Sequence, residues 1–151
     1  MGEVSETYGE AEDTEYPGQR LGFPEDGPGS IASWMRRIAA LAVDWLAANL
    51  VVLALGQLVA LGDGLATLLP LIVFWLEASV FTALLGGSFG QLVVGLRVMR
   101  LDRGLQGRPL NLLQALLRTA LICLVIPPLL ANRDQRGLHD VAVGSVTVRL
   151  R

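Results

Sequence analysis

Asp44, Glu77 and Arg118 each stand inside a long apolar run of the chain. A carboxylate or guanidinium at membrane depth is costly unless it meets a partner or serves a ligand. With a rise of about 1.5 Å per residue, Asp44 lies roughly 10 Å in from Arg37 and Glu77 roughly 13 Å before Gly86. Arg118 lies roughly 12 Å in from Leu110, so all three fall at one level. Opposite charges at equal depth lower each other's cost. Three readings of this constellation follow. In the first, an Asp44–Arg118 pair fixes helix register while Glu77 is protonated or hydrogen-bonded. In the second, two carboxylates and one arginine line a path for a cation or proton. In the third, Arg118 snorkels toward the headgroups and there is no site.

The other reactive residue types carry less chemistry. Arg37 and Asp44 are seven apart and share a helix face, but they are too distant for direct contact, so Arg37 reads as a topology and headgroup anchor. His139, the single histidine, has Asp140 beside it but no Cys or Ser partner for hydrolysis and too few neighbours for a metal. "GGSFGQ" lacks the Lys-Ser/Thr of a phosphate loop. Cys123, alone in an apolar run, reads as a small buried hydrophobe. No catalytic residue, metal site or cofactor is expected, and the chain does not read as an enzyme.

Three apolar segments must position these groups, at about 38–61, 65–85 and 110–130, each near the roughly 20 residues needed to cross a hydrocarbon core. The second holds Pro70 and Trp75, and the third holds Pro127-Pro128, which can end or bend it. Between the second and third, glycines around a valine-rich centre read as strand and turn, with "DRGLQG" as the reversal. Near the end, Val146, Val148 and Leu150 alternate with Ser145, Thr147 and Arg149, the period of a half-polar strand. A lone strand is unstable, so the two β-like stretches should form one sheet. That favours a kinked or re-entrant third segment; a plain third crossing is the alternative. The fold class expected is an all-α membrane protein with three apolar helical segments and a small cytoplasmic β-element.

Charge orients the chain. Residues 1–30 hold eight of the fourteen acidic residues against one arginine, and residues 97–151 hold nine arginines against three acids. The first 30 residues read as a disordered acidic cytoplasmic tail, and residues 31–151 as the membrane domain. The start has no basic stretch followed by an early apolar core, so the first apolar run should remain as an uncleaved anchor. Arg36 and Arg37 precede the first run and four arginines follow the second, whereas the short loop between them carries only Asp63. The positive-inside rule then puts the N-terminus in the cytoplasm. A hydrophobic fraction of 52%, with every basic residue an arginine, suggests a GC-rich bacterial source and hence an inner membrane.

"RRIAALAVDW", "GGSFGQLVVGLRV", "GRPLNLLQALLR" and "RGLHDVAVGSVTV", in that order, resemble the RDD family of small bacterial membrane proteins. The resemblance spans about residues 31 to 149. It implies that the family's arginine and two aspartates fall on Arg37, Asp44 and Asp140. Ser88 and Gln91 stand where the family commonly has Thr and Lys, and Gly144-Ser145 where it has Gly-Thr. The family's role is poorly defined; the resemblance implies transport of some ligand, with sodium/proton exchange associated with some members. The functional expectation is therefore transport of a cation, proton or other small ligand, with the bilayer as environment and the path formed in a homo-oligomer. The alternative is a non-transporting scaffold or accessory subunit whose acidic tail recruits an unidentified protein partner. Nothing points to nucleic acid.

Overall fold

The computed structural model describes residues 16–56, 63–101, 107–124 and 135–151. Two long helices, α1 (Trp34–Gly56) and α2 (Asp63–Leu85), lead into a short helix α3 (Phe89–Val93) and strand β1 (Leu96–Arg100). Then follow α4 (Leu112–Cys123), a second short helix α5 (Leu138–Ala142) and strand β2 (Ser145–Arg149).

The helices α1 and α2 are long and apolar enough to cross a membrane. Their apolar windows are only 17% and 22% buried. A core helix of a soluble protein would be mostly covered, so this exposed apolar surface needs a non-aqueous neighbour. The buried face of α1 is a stripe of small or polar residues at every fourth position, Ala40, Asp44 and Ala48. Ala48 packs against Phe74 and Ala78 of α2, and Trp75 of α2 donates its Nε1–H to the Leu116 carbonyl of α4 at 3.1 Å. The helix begins before the apolar run does, because Arg36 and Arg37 lie within the opening turns of α1.

The helix α4 has 12 residues, about 18 Å by helix rise, and falls short of a crossing. The rest of the third segment, including Pro127 and Pro128, lies outside the described residues, as do most of the "DRGLQG" stretch and residues 1–15.

The strands pair antiparallel, with Leu96 opposite Arg149, Val98 opposite Thr147 and Arg100 opposite Ser145. One sheet thus holds the chain on both sides of α4, which places the central loop and the C-terminal arm at the same end of the helices.

Two expectations change. β2 is not half-polar toward solvent: Ser145 to Val148 are all buried. Val146 and Val148 pack on Ile31, Leu21 and Phe23 of the N-terminal segment. Residues 29–32 run along the free edge of β2, where the Gly29 and Ala32 N–H groups donate to the Arg149 and Thr147 carbonyls at 2.8 and 2.9 Å. The segment from residue 16 to 30, expected as disordered tail, therefore carries structure: it covers one face and the open edge of the sheet.

The two halves of the β-module repeat each other. Helix α3, Gly95 and β1 correspond to α5, Gly144 and β2 at a constant offset of 49 positions. Both glycines are left-handed, with φ of 74° and 64°, and turn a short helix into its strand. The pairing register carries each strand onto the other, with the pseudo-dyad at the Val98–Thr147 pair.

Candidate functional site

Asp140 is the third residue of α5, and its side chain is fully buried. Four donors converge on the carboxylate. Oδ2 accepts from Arg37 Nη1 at 2.9 Å and from Thr147 Oγ1 at 3.2 Å. Oδ1 accepts from Arg118 Nε at 2.8 Å and from Ser145 Oγ at 3.1 Å. Arg118 also donates Nη2–H to Thr147 Oγ1 at 3.3 Å. The two guanidinium side chains are nearly as buried as their partner, 10% exposed for Arg37 and 3% for Arg118. Two cations on one carboxylate leave the triad at net +1. The polar face of β2 thus meets an ion cluster rather than water.

Burial alone would raise the Asp140 carboxyl, but the charge of Arg118, with those of His139 and Arg37 and the Arg118 hydrogen bond, holds it far below the usual carboxylate range. His139 is pushed the other way for a base. Burial, aided by the positive charges of Arg118 and Arg37, lowers it to about 4 against the pull of Asp140. Its Nε2 stands 3.6 Å from Asp140 Oδ1, too far for a hydrogen bond, so His139 is neutral at pH 7.

Asp44 belongs to a second cluster. Its Oδ2 accepts from Ser88 Oγ at 2.6 Å and its Oδ1 from the Gly90 N–H. Glu77 Oε1 accepts from the Phe89 N–H at 2.8 Å. Ser88 is the N-cap of α3 and forms a capping box with Gln91. The opening donors of α3 are thus served by Ser88 and by carboxylates from both long helices, where the positive end of the short helix also favours negative charge. The fit requires glycine at 90, since a Cβ there would collide with the Ala40 carbonyl oxygen.

The residues singled out by type and spacing are therefore brought together in pairings other than those expected. Arg118 bonds to Asp140, and Asp44 bonds to the start of α3, so the Asp44–Arg118 pair does not form. Arg37 is a buried ligand of Asp140, a partner that its spacing from Asp44 did not reveal. Of the three residues implied by the family resemblance, Arg37 and Asp140 bond to each other and Asp44 stands in the neighbouring cluster. Ser88, Ser145 and Thr147 were missed, although Ser88-x-x-Gln91 is a readable capping box.

A cavity of about 80 Å³ lies between the two clusters, with Arg37, Asp44, Ser88, Arg118 and His139 on its wall. Ile38 and Leu41 of α1, Phe74 of α2 and Ile122 of α4 line its apolar part. It has room for a few waters, an ion or one end of a larger molecule. Arg37 Nη2 and His139 Nδ1 are buried without a hydrogen-bond partner. Among the described residues no group of three or more side chains could hold a metal ion.

Comparison with curated proteins and with solved structures gives no significant match. A profile of the RDD family matches residues 31–144, which takes in both long helices, α3 to α5 and every member of the two clusters except Ser145 and Thr147. The chain belongs to the RDD family.

Proposed function

We propose that this chain is a multi-pass protein of a bacterial inner membrane whose cavity takes up a small charged ligand and, in a homo-oligomer, passes it across the bilayer. The N-terminus and the β-module face the cytoplasm in this reading. The arginine distribution supports that orientation, and the closed sheet supports a third segment that re-enters on the same side. One observation carries the ligand: a cavity among the helices is walled by buried charged side chains and retains an unengaged guanidinium donor. Three short segments hardly enclose a pathway alone, hence the oligomer. The reading assigns no catalytic chemistry to the site.

The test is flux in vesicles containing the purified full chain, with wild type compared with Ile122→Trp, which fills the cavity without touching an ion pair, alongside the oligomeric mass in nanodiscs. Ligand-dependent flux lost in the variant supports the reading; a monomer without flux overturns it.

The scaffold reading is favoured by a different observation. Asp140 accepts four hydrogen bonds from the protein, which leaves it no free site for a moving cation, and each Asp44 oxygen already serves one protein donor. Removing residues 1–15, which spares the segment packed on the sheet, separates the two. A transporter keeps its flux after that deletion, whereas a scaffold loses its partner.

A further inference from the structure

The cationic side of the cavity holds a buried, unengaged hydrogen-bond donor. Asp140 accepts from four donors and each Asp44 oxygen from one, whereas Arg37 uses Nε on the Ala32 carbonyl at 3.1 Å and Nη1 on Asp140, and its Nη2 is left buried without an acceptor. An unpaired buried donor on a charged group is unfavourable, so the site is built for an acceptor. Charge does not oppose one. The Arg37–Asp140–Arg118 triad is net +1, and Asp44, on the same cavity wall, brings the group to neutral, but Asp44 lies seven residues farther along α1, about 10 Å from Arg37, and is held by Ser88 and the start of α3.

Depth and shape narrow the class of ligand. Arg37 lies in the opening turns of a helix long enough to span, which is where headgroups sit. Beyond it the cavity wall turns apolar, with Ile38 and Leu41 followed by Phe74 and Ile122. Ile38 and Leu41 also face outward, 54% and 42% exposed, so this wall is continuous with the lipid-facing surface of α1. A basic recess between helices that opens onto an apolar face matches the phosphate and upper acyl chain of a phospholipid.

Resting on the reading of this cavity as a ligand site, we propose that its occupant is an anionic phospholipid, with the phosphate against Arg37 and Arg118 and one acyl chain along Ile38, Leu41 and Ile122. The full chain, purified in mild detergent and stripped of lipid, is titrated with phosphatidylglycerol or phosphatidylcholine and followed by native mass spectrometry. One phosphatidylglycerol per protomer is expected, with weaker retention of phosphatidylcholine. Arg37→Lys keeps a charge for Asp140 but removes the forked second nitrogen, and should weaken retention by about tenfold. Leu41→Trp, on an exposed position away from the ion triad, should weaken it similarly by filling the apolar mouth, and it carries the test where the arginine variant folds poorly.

Wild-type retention by Leu41→Trp, equal retention of the two lipids, or displacement of the lipid by millimolar inorganic phosphate would overturn the proposal; the last would make the occupant a soluble anion. The transport reading fails separately. A chain that holds phosphatidylglycerol but moves no ion refutes transport alone, and one that moves ions while retaining no lipid refutes this proposal alone.

Discussion

Asp140→Asn should be the most damaging single change to a charge in this molecule. The carboxylate serves two buried guanidinium groups, with N–O distances of 2.9 and 2.8 Å. The amide keeps one acceptor oxygen, but its NH₂ group faces whichever arginine it does not serve, and the cluster passes from net +1 to net +2 in a buried setting. Removing one partner of a buried pair costs about 3–5 kcal/mol in soluble proteins. Near a bilayer, snorkelling and thinning reduce that figure, yet Arg118, at 3% exposure, has little path to water. For a chain of this size the loss corresponds to a fall of roughly 10 °C in thermal midpoint.

The arginine partners rank below it. Arg118→Gln leaves Arg37 and Asp140 as a neutral pair, and Arg37→Gln leaves Arg118 and Asp140. Each costs less than Asp140→Asn, and the more exposed Arg37 costs least. Asp140→Asn with Arg118→Gln should recover part of the loss of the aspartate variant, because one uncompensated charge replaces two. The readout is folded yield and thermal midpoint of the full chain in detergent. An arginine variant as damaging as Asp140→Asn, or a double variant equal to the sum of the singles, would refute the shared-carboxylate account.

Three further outcomes follow from the same geometry. Gly90→Ala should abolish folded yield by driving the new methyl group into the Ala40 carbonyl, while Gly107→Ala, where nothing lies near the new atom, should lose only the glycine-specific turn energy of about 1 kcal/mol; equal yields would sink the close-approach argument. His139, lowered to about 4 in the fold against 6.5 when unfolded, contributes stability that is present above pH 6.5 and lost as pH falls toward 4. The loss amounts to about 3 kcal/mol. His139→Gln should flatten that part of the midpoint-against-pH curve, and an unchanged slope would show that the histidine is not buried neutral. In a Cys123→Ala background, cysteines at Met99 and Val146, which are register partners, should cross-link within one molecule. Links formed only between molecules would exclude the sheet, and with it the shared side of the two loops.

What the sequence made legible follows the range over which its patterns act. The two long helices are plain in hydropathy, because an apolar run of that length has few other solutions. That Asp44 needs a partner is equally plain. Its partner is not, because helix rise gives depth but not the direction a side chain takes around the axis, and Glu77, Arg118 and Asp44 share one depth. The deciding elements, α3 and α5, have five residues each, too short to show a period that could be read. Asp140 reaches Arg118 only after the sheet closes, a contact between residues 22 apart in sequence that depends on strands 49 apart. Thr147 shows how a correct period can mislead. Alternation separates a polar face from an apolar one, but it does not distinguish water from an ion cluster as the polar neighbour.

The internal repeat explains why α1 carries both an arginine and an aspartate. The membrane-capable helices must hold two copies of one short unit, α3 with β1 and α5 with β2, joined through a pseudo-dyad. The copies present opposite chemistry to the same helix. The start of α3 offers the N–H groups of Phe89 and Gly90 with the Ser88 hydroxyl and takes carboxylates, from Asp44 and Glu77. At the position equivalent to Gln91, α5 carries Asp140 and takes guanidinium groups, from Arg37 and Arg118. One helix face that grips both copies therefore needs a cation for one and an anion for the other. The anchors must also be separated along the axis by about the width of a packed helix, roughly 10 Å. Arg37 and Asp44 are seven residues apart, two turns along one face and about 10 Å by helix rise. Ala40, between them, is buried at the point where Gly90 lets α3 approach. The aspartate inside the apolar helix is one of a pair of docking posts, and its spacing from the arginine is the spacing of the two units they hold.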